Sequence, residues 1–264
     1  MSVQLSPIIA GVMNWGVWDK NLNTNEFTHL INLFIENGIT TFDHADIYGG
    51  YTTEASFGKA LSESKIDRKK IQLITKCGIQ YTSENRPNNT IKHYEYSKDY
   101  IIWSAENSLK NLQTDYLDVF LLHRPSPLMQ ADEIAEAVSK LKADGKILSF
   151  GVSNFTPFQT ELLRQKTEIS FNQVQFSATH HEAMLDGSFD YMQIHNIKPM
   201  AWNPLGTVFR ENTDQTFRLR QLLAKLVEKY HMGSDIILLA WIMQHPAGIS
   251  PVAGTVNSGR IQQL

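Results

Sequence analysis

Short runs of β-branched and other apolar residues alternate with longer segments of helical period along this chain, about eight times over. Strands are predicted at 8–12, 39–42, 71–75, 117–122, 147–152, 171–176, 198–202 and 249–253. Runs such as LDVFLL and IQLIT are apolar on both faces, as parallel strands covered on both sides require. Strand followed by helix, repeated eight times within 264 residues, is the pattern of an α/β chain closed into a (β/α)8 TIM barrel, a fold of about 250 residues. No Pro/Gly-rich linker and no internal repeat divides the sequence, so one domain over 1–264 is expected.

Between the strands, Phe27, Leu30, Ile31, Phe34 and Ile35 recur at helical spacing, with Asn23 and Glu26 as a capping pair and Gly38 as the stop. Further helices are predicted at 100–112, 131–143, 158–166 and 189–196. Leu219, Leu222, Leu223, Leu226, Val227 and Tyr230 form the cleanest stripe, which reads as core packing because it lasts too few heptads for a coiled coil. The polar stretch 80–98 is too long for a simple turn and is expected over the barrel mouth. After the last strand only TVNSGRIQQL remains, enough to begin a helix, so the final helix is expected to be missing or truncated.

Several function classes drop out on composition. A net charge of −3 gives no field that would recruit nucleic acid or an anionic membrane. The longest apolar run, IILLAWIM, is far short of the roughly 20 residues of a membrane span, and the first residues do not read as a signal peptide. The single cysteine, Cys77, fits a reducing compartment, so a cytoplasmic location is expected.

In a barrel of this kind catalytic groups stand at the C-terminal tips of strands. The tips here present Asp43 and, in the next loop, Tyr48 (FDHADIYGG), Lys76 (LITKCG), His123 (LLHRP), Ser153 and Asn154 (GVSNF), Gln173 (NQVQF) and Trp202 (AWNPLGT). The first four make an acid–base set. A phenol of pKa near 10 donates poorly at neutral pH, a neighbouring ammonium lowers that pKa, an aspartate keeps the ammonium charged, and a histidine polarises a carbonyl. Such a set suits adding a proton to an oxygen while the carbon is attacked, which is carbonyl reduction. None of the four donates a hydride, so a cofactor is implied. Ser153, Asn154 and Gln173 can hydrogen-bond a nicotinamide carboxamide, and Trp202 offers a flat face to its ring. No G-x-G-x-x-G fingerprint is present.

The order D-x4-Y, K, LLHRP, GVSNF, NQVQ and GTVNSGR resembles the aldo-keto reductases, closest to their bacterial general-oxidoreductase branch, over essentially the whole chain. The resemblance implies an NADPH-dependent oxidoreductase of small aldehydes or ketones, a monomer or weak oligomer. It implies that Asp43, Tyr48, Lys76 and His123 are the catalytic tetrad, with Tyr48 the proton donor, and that Ser153, Asn154 and Gln173 hold the carboxamide. It also implies that Trp202 stacks on the nicotinamide, that Leu205, Gly206 and Thr207 pass the pyrophosphate, and that Arg260 pairs with the 2′-phosphate. The chain departs from the pattern at Gly254, often a lysine in relatives, at Ser126, often acidic, and at His44, more often Thr or Ser.

Each residue also has a bland reading. Tyr48 can be a packing residue, Asp43 a helix cap, Lys76 a snorkelling surface charge, His123 a core histidine and Arg260 a solvated helix charge. Ser153 and Asn154 can cap the helix that begins near Thr156, and Cys77 reads as a small buried hydrophobe. Two other functions compete: a metal-dependent barrel hydrolase or isomerase on Asp43, His44, His123 and His180, and a non-catalytic NADPH-binding, redox-sensing barrel. Trp15, Trp18 and Tyr51 are candidates for the wall of an apolar pocket.

Overall fold

A computed structural model describes residues 3–264. In chain order it contains β1 (Ile9–Gly11), α1 (Thr24–Glu36), β2 (Thr41–Asp43), α2 (Tyr48–Tyr51), α3 (Thr53–Ser64), β3 (Gln72–Cys77), β4 (Ile79–Gln80), β5 (His93–Tyr94), α4 (Lys98–Leu112) and β6 (Leu117–Leu122). There follow α5 (Ala131–Ala143), β7 (Ile147–Ser153), α6 (Pro157–Arg164), β8 (Phe171–Gln175), α7 (Ser188–Ile194), β9 (Lys198–Trp202), α8 (Asp214–Tyr230), α9 (Ser234–Met243), β10 (Ser250–Ala253) and α10 (Ser258–Ile261). Eight strands close into one parallel barrel in the order β1, β10, β9, β8, β7, β6, β3, β2, as the alternation predicts. After β10 the chain makes the four-residue α10 and runs on to Leu264.

Side chains alternate along each strand, and the alternation sorts the core into two populations. One set, Ile9, Ile74, Val119, Leu121, Phe171, Met200 and Val252, fills the barrel interior. The other packs strands against helices. Its largest cluster is aromatic, with the buried Trp15 ring 5.5 Å from Phe27, 5.9 Å from Phe34 and 6.1 Å from Phe57. Trp15 is therefore core and not pocket wall.

Two helices were not read from the pattern. The buried face of α3 mixes Thr53, Glu54, Gly58 and Ala60 with Phe57 and Leu61, which blurs its period, and Gly58 is so close to α4 that a methyl group there would sit 2.7 Å from the Leu112 backbone. The run IILLAWIM lies within α9 and is apolar all round, so no face declares itself by period.

The stripe on α8 is a correction. Only Leu223 of its six apolar residues is fully buried, while Leu222 and Tyr230 are more than half exposed (52% and 55%). The helix does not cover the barrel wall. Leu223 and Leu219 join Leu205, Val208, Ala178, Ile237 and Leu238 in a satellite cluster. Arg220 adds hydrogen bonds to the Val208 and Glu211 carbonyls at 2.8 and 2.9 Å. Helix α8 thus pins down the loop after β9, and its one-sidedness serves that loop.

Candidate active site

Side-chain parity explains which residues reach the mouth. In β3, β6, β8 and β9 the interior residues Ile74, Leu121, Phe171 and Met200 are each followed two positions later by Lys76, His123, Gln173 and Trp202. A period of two carries these four, one step above the apolar interior, onto the inside of the rim.

Tyr48 arrives by a different route. Gly49, Gly50 and Tyr51 all take left-handed φ, at 61°, 66° and 71°, so the chain reverses immediately after Tyr48. A side chain at Gly49 would also meet the Thr52 hydroxyl at 2.9 Å. The stretch 80–98 clamps this turn from the mouth side, where it was expected. Tyr81 Oη donates to the Ile47 carbonyl at 3.2 Å and Asn85 Nδ2 to the Gly50 carbonyl at 2.8 Å. Trp18 lies edge-on to Tyr48 at 6.0 Å, while Tyr51 stacks on Tyr81.

Asp43, Tyr48, Lys76 and His123 come together. The fully buried Lys76 Nζ donates to both Asp43 carboxylate oxygens at 2.8 Å, to the His44 carbonyl at 2.7 Å and to Tyr48 Oη at 3.3 Å. The Tyr48 and His123 rings meet edge to face with centroids 6.2 Å apart. Burial works against the Lys76 ammonium, but the Asp43 carboxylate and Tyr48 outweigh it and raise the lysine pKa.

Tyr48 titrates in the opposite direction from the sequence expectation. Burial raises its pKa by more than Lys76 lowers it, with the Asp43 charge adding to the rise. The phenol therefore stays protonated in the resting protein. Burial, reinforced by Lys76 and then Arg124, holds His123 well below its ordinary value, so its imidazole is neutral and its Nδ1 has no partner among the described residues.

Thr156, not Ser153 or Asn154, caps α6, in a reciprocal pair with Gln159. That leaves Ser153 and Asn154 for the mouth. Asn154 holds a left-handed φ of 62°, uncommon for a residue with a Cβ. Its Oδ1 accepts the Trp202 indole N–H at 2.8 Å and its Nδ2 donates to Ser153 Oγ at 2.8 Å. Gln173 was expected to hold only a carboxamide, yet its Nε2 crosses the barrel to Asp43 Oδ1 at 3.0 Å. Rim polar groups and acid–base set are one network.

The loop at Leu205, Gly206 and Thr207 packs tightly against the segment after β8. Gly206 has a φ of 56°, and any Cβ there would strike the Ser177 and Thr179 side chains. Thr179 Oγ1 accepts the Thr207 N–H at 3.0 Å, and Arg210 donates to Asn203 Oδ1 at 2.6 Å. Ser177, Thr179 and Arg210 were not singled out in the sequence, since nothing in their spacing links them to this loop. Arg260 stands apart on α10, 65% exposed, with Nε 3.7 Å from Asp235.

The histidines of the metal reading do not converge. His44 is sealed against Phe57 at 4.4 Å with its pKa lowered to about 3 by burial and then by Lys76, and His180 faces Glu182 at 3.3 Å. Among the described residues no three His, Cys, Asp or Glu side chains are grouped as an ion would need. No helix among them is long and apolar enough to cross a membrane.

The model of the Aldo/keto reductase family matches residues 7–264. The "Uncharacterized oxidoreductase YcsN" of Bacillus subtilis is 45% identical, over 98% of this chain and 87% of that protein. The "6-dehydroglucose reductase" of Agrobacterium fabrum is 36% identical, over 98% of this chain and 88% of its own. Among solved structures, an aldo/keto reductase from Klebsiella pneumoniae in complex with NADP and acetate is 25% identical with a TM-score of 0.77, covering 98% of this chain and 84% of that one.

Proposed function

The chain belongs to the aldo/keto reductase family, and from that premise we propose that it reduces small aldehydes or ketones to alcohols with NADPH, Tyr48 being the proton donor. The observation that carries the reading is the buried Asp43–Lys76–Tyr48 chain of contacts facing a neutral His123. A carbonyl oxygen between Tyr48 Oη and His123 takes a hydrogen bond from each. As electrons from the C=O bond move onto that oxygen, the Tyr48 proton follows. The charge left on the phenolate meets the Lys76 ammonium, already 3.3 Å away and held there by Asp43. The reduced nicotinamide, when bound, supplies the hydride.

Ser153, Asn154 and the side-chain oxygen Oε1 of Gln173 are the groups for the carboxamide, and the Trp202 ring, fixed by Asn154, is the flat surface beside them. Leu205, Gly206 and Thr207 are the loop residues for the pyrophosphate on the strength of the family membership, with the Ser177 and Thr179 side chains packed against the turn. Arg260 is the cation for a 2′-phosphate, since its long contact to Asp235 leaves the guanidinium open. In this reading the barrel of 1–264 acts as one domain, as a monomer or weak oligomer, and the lone buried thiol Cys77 accords with a cytoplasmic setting.

Two measurements test this directly. Titrating NADPH and NADH separately against tryptophan fluorescence is expected to show quenching by NADPH at about micromolar concentration, with NADH much weaker. Arg260→Ala should narrow that gap and Trp202→Leu should reduce the quench. No response to either cofactor overturns the assignment, and equal responses remove the 2′-phosphate role of Arg260.

The second is the pH profile. Reduction needs Tyr48 protonated and, in this mechanism, His123 neutral. The tyrosine pKa lies above its ordinary value and the histidine pKa below its own. Neither group titrates between about pH 6.5 and 9.5, so kcat/KM for reduction is expected to be flat across that window. A limb centred inside it would show that one of the two assignments is wrong.

A further inference from the structure

We infer that Arg124 selects the substrate: its guanidinium grips an oxyanion, a carboxylate or phosphate, carried by the carbonyl compound that Tyr48 and His123 reduce. The inference rests on the carbonyl-reductase reading and adds the substrate class to it.

Arg124 directly follows His123 at the tip of β6. Its backbone is held on both sides by one buried phenol: its N–H donates to Tyr96 Oη at 3.2 Å, and Tyr96 Oη donates to its carbonyl. Its guanidinium carbon lies 5.3 Å from the centre of the Trp202 ring, which leans from β9 towards the tip of β7, where its indole N–H donates to Asn154 Oδ1. The guanidinium thus lies over the barrel mouth, above the rim that carries Ser153, Asn154 and Gln173.

Most partly buried arginines of the chain are bonded; Arg124 is not, and among the described residues it shares that only with Arg86, which lies over the Tyr51 and Trp103 rings. Arg68 bonds Thr114, Asp118 and two carbonyls, Arg210 bonds Asn203, and Arg220 bonds two carbonyls and Asn212. No described residue accepts a hydrogen bond from the Arg124 guanidinium or forms an ion pair with it, although the residue is only partly exposed. Ser126, buried two positions further on, accepts the Leu128 N–H and brings no carboxylate. Five donors in a planar fork, partly desolvated beside the rim, match an oxyanion in geometry and charge better than they match a neutral group.

The charge also reaches the reacting groups. Burial is the largest influence on both Tyr48 and His123, with Lys76 next, and Arg124 adds a further pull downward on each. A substrate anion bound there sets the carbonyl beside the two groups that must polarise it.

Matched pairs test the inference: succinic semialdehyde against butanal for a carboxylate, and glyceraldehyde 3-phosphate against glyceraldehyde for a phosphate. The wild-type protein is expected to favour at least one anionic member by about 10- to 100-fold in kcat/KM. Arg124→Leu should bring that ratio close to one, and Arg124→Lys should keep part of it. Succinate should inhibit butanal reduction competitively in the wild type and weakly in Arg124→Leu. Reduction of all four with no anionic preference, or a preference that survives Arg124→Leu, overturns the role of Arg124 while carbonyl reduction stands. No reduction of any of them overturns the activity itself and this inference with it.

Discussion

Tyr48→Phe is expected to lower kcat for carbonyl reduction by about 10²- to 10⁴-fold, the range in which a positioned general acid contributes, while NADPH binding changes little. The substitution removes one oxygen and keeps the ring. The edge contact with Trp18 at 6.0 Å and with His123 at 6.2 Å therefore survives, and so does the turn that Gly49 and Gly50 define. What goes is the proton that reaches the substrate oxygen and the site where Lys76 meets the developing charge. Lys76 keeps Asp43 and the His44 carbonyl as partners, so the variant is expected to fold with a thermal midpoint near that of the wild type. Single-turnover kinetics beside a fluorescence titration separate the two effects. Turnover within a few-fold of wild type would sink Tyr48 as proton donor, and a matching loss of cofactor affinity would mean that the hydroxyl supports binding and not proton transfer.

Much of this site is legible in the sequence alone. Runs such as LDVFLL are strands because they are apolar at both parities, and strand tips are where a parallel barrel exposes polar groups. Lys76, His123, Gln173 and Trp202 could be placed on the rim because each follows a strand whose alternation is fixed. Three kinds of fact were not legible. Period shows that a helix has a face but not what covers it, so the α8 stripe passed for barrel core when it holds the loop at Leu205. Proximity across the barrel is invisible to spacing, so the Gln173 bond to Asp43, 130 residues away in sequence, had no signal. The balance of burial against charge needs depth, so Tyr48 was expected to be acidified by Lys76 when burial raises its pKa overall. Arg124 is legible as a letter in LLHRP, but only its place in space, unpaired and beside Trp202, separates it from an ordinary surface arginine.

Lys76→Met is expected to damage both folding and catalysis, and a second substitution separates the two. Lys76 is fully buried, and its loss leaves the Asp43 carboxylate inside the barrel with Gln173 Nε2 as its remaining side-chain partner at 3.0 Å. Breaking one side of a buried pair costs about 3–5 kcal/mol, because the partner charge stays where water cannot reach it. For a chain of this size that corresponds to a fall in thermal midpoint on the order of 10 °C. Adding Asp43→Leu removes the stranded charge, so Lys76→Met/Asp43→Leu is expected to recover much of the lost stability. It should recover none of the activity, because the Tyr48 phenolate would still form without an ammonium at 3.3 Å. Thermal unfolding and kcat on both variants read the two quantities independently. If the double variant regained activity along with stability, Lys76 would be a structural residue only, and the acid–base role assigned to the pair would fall.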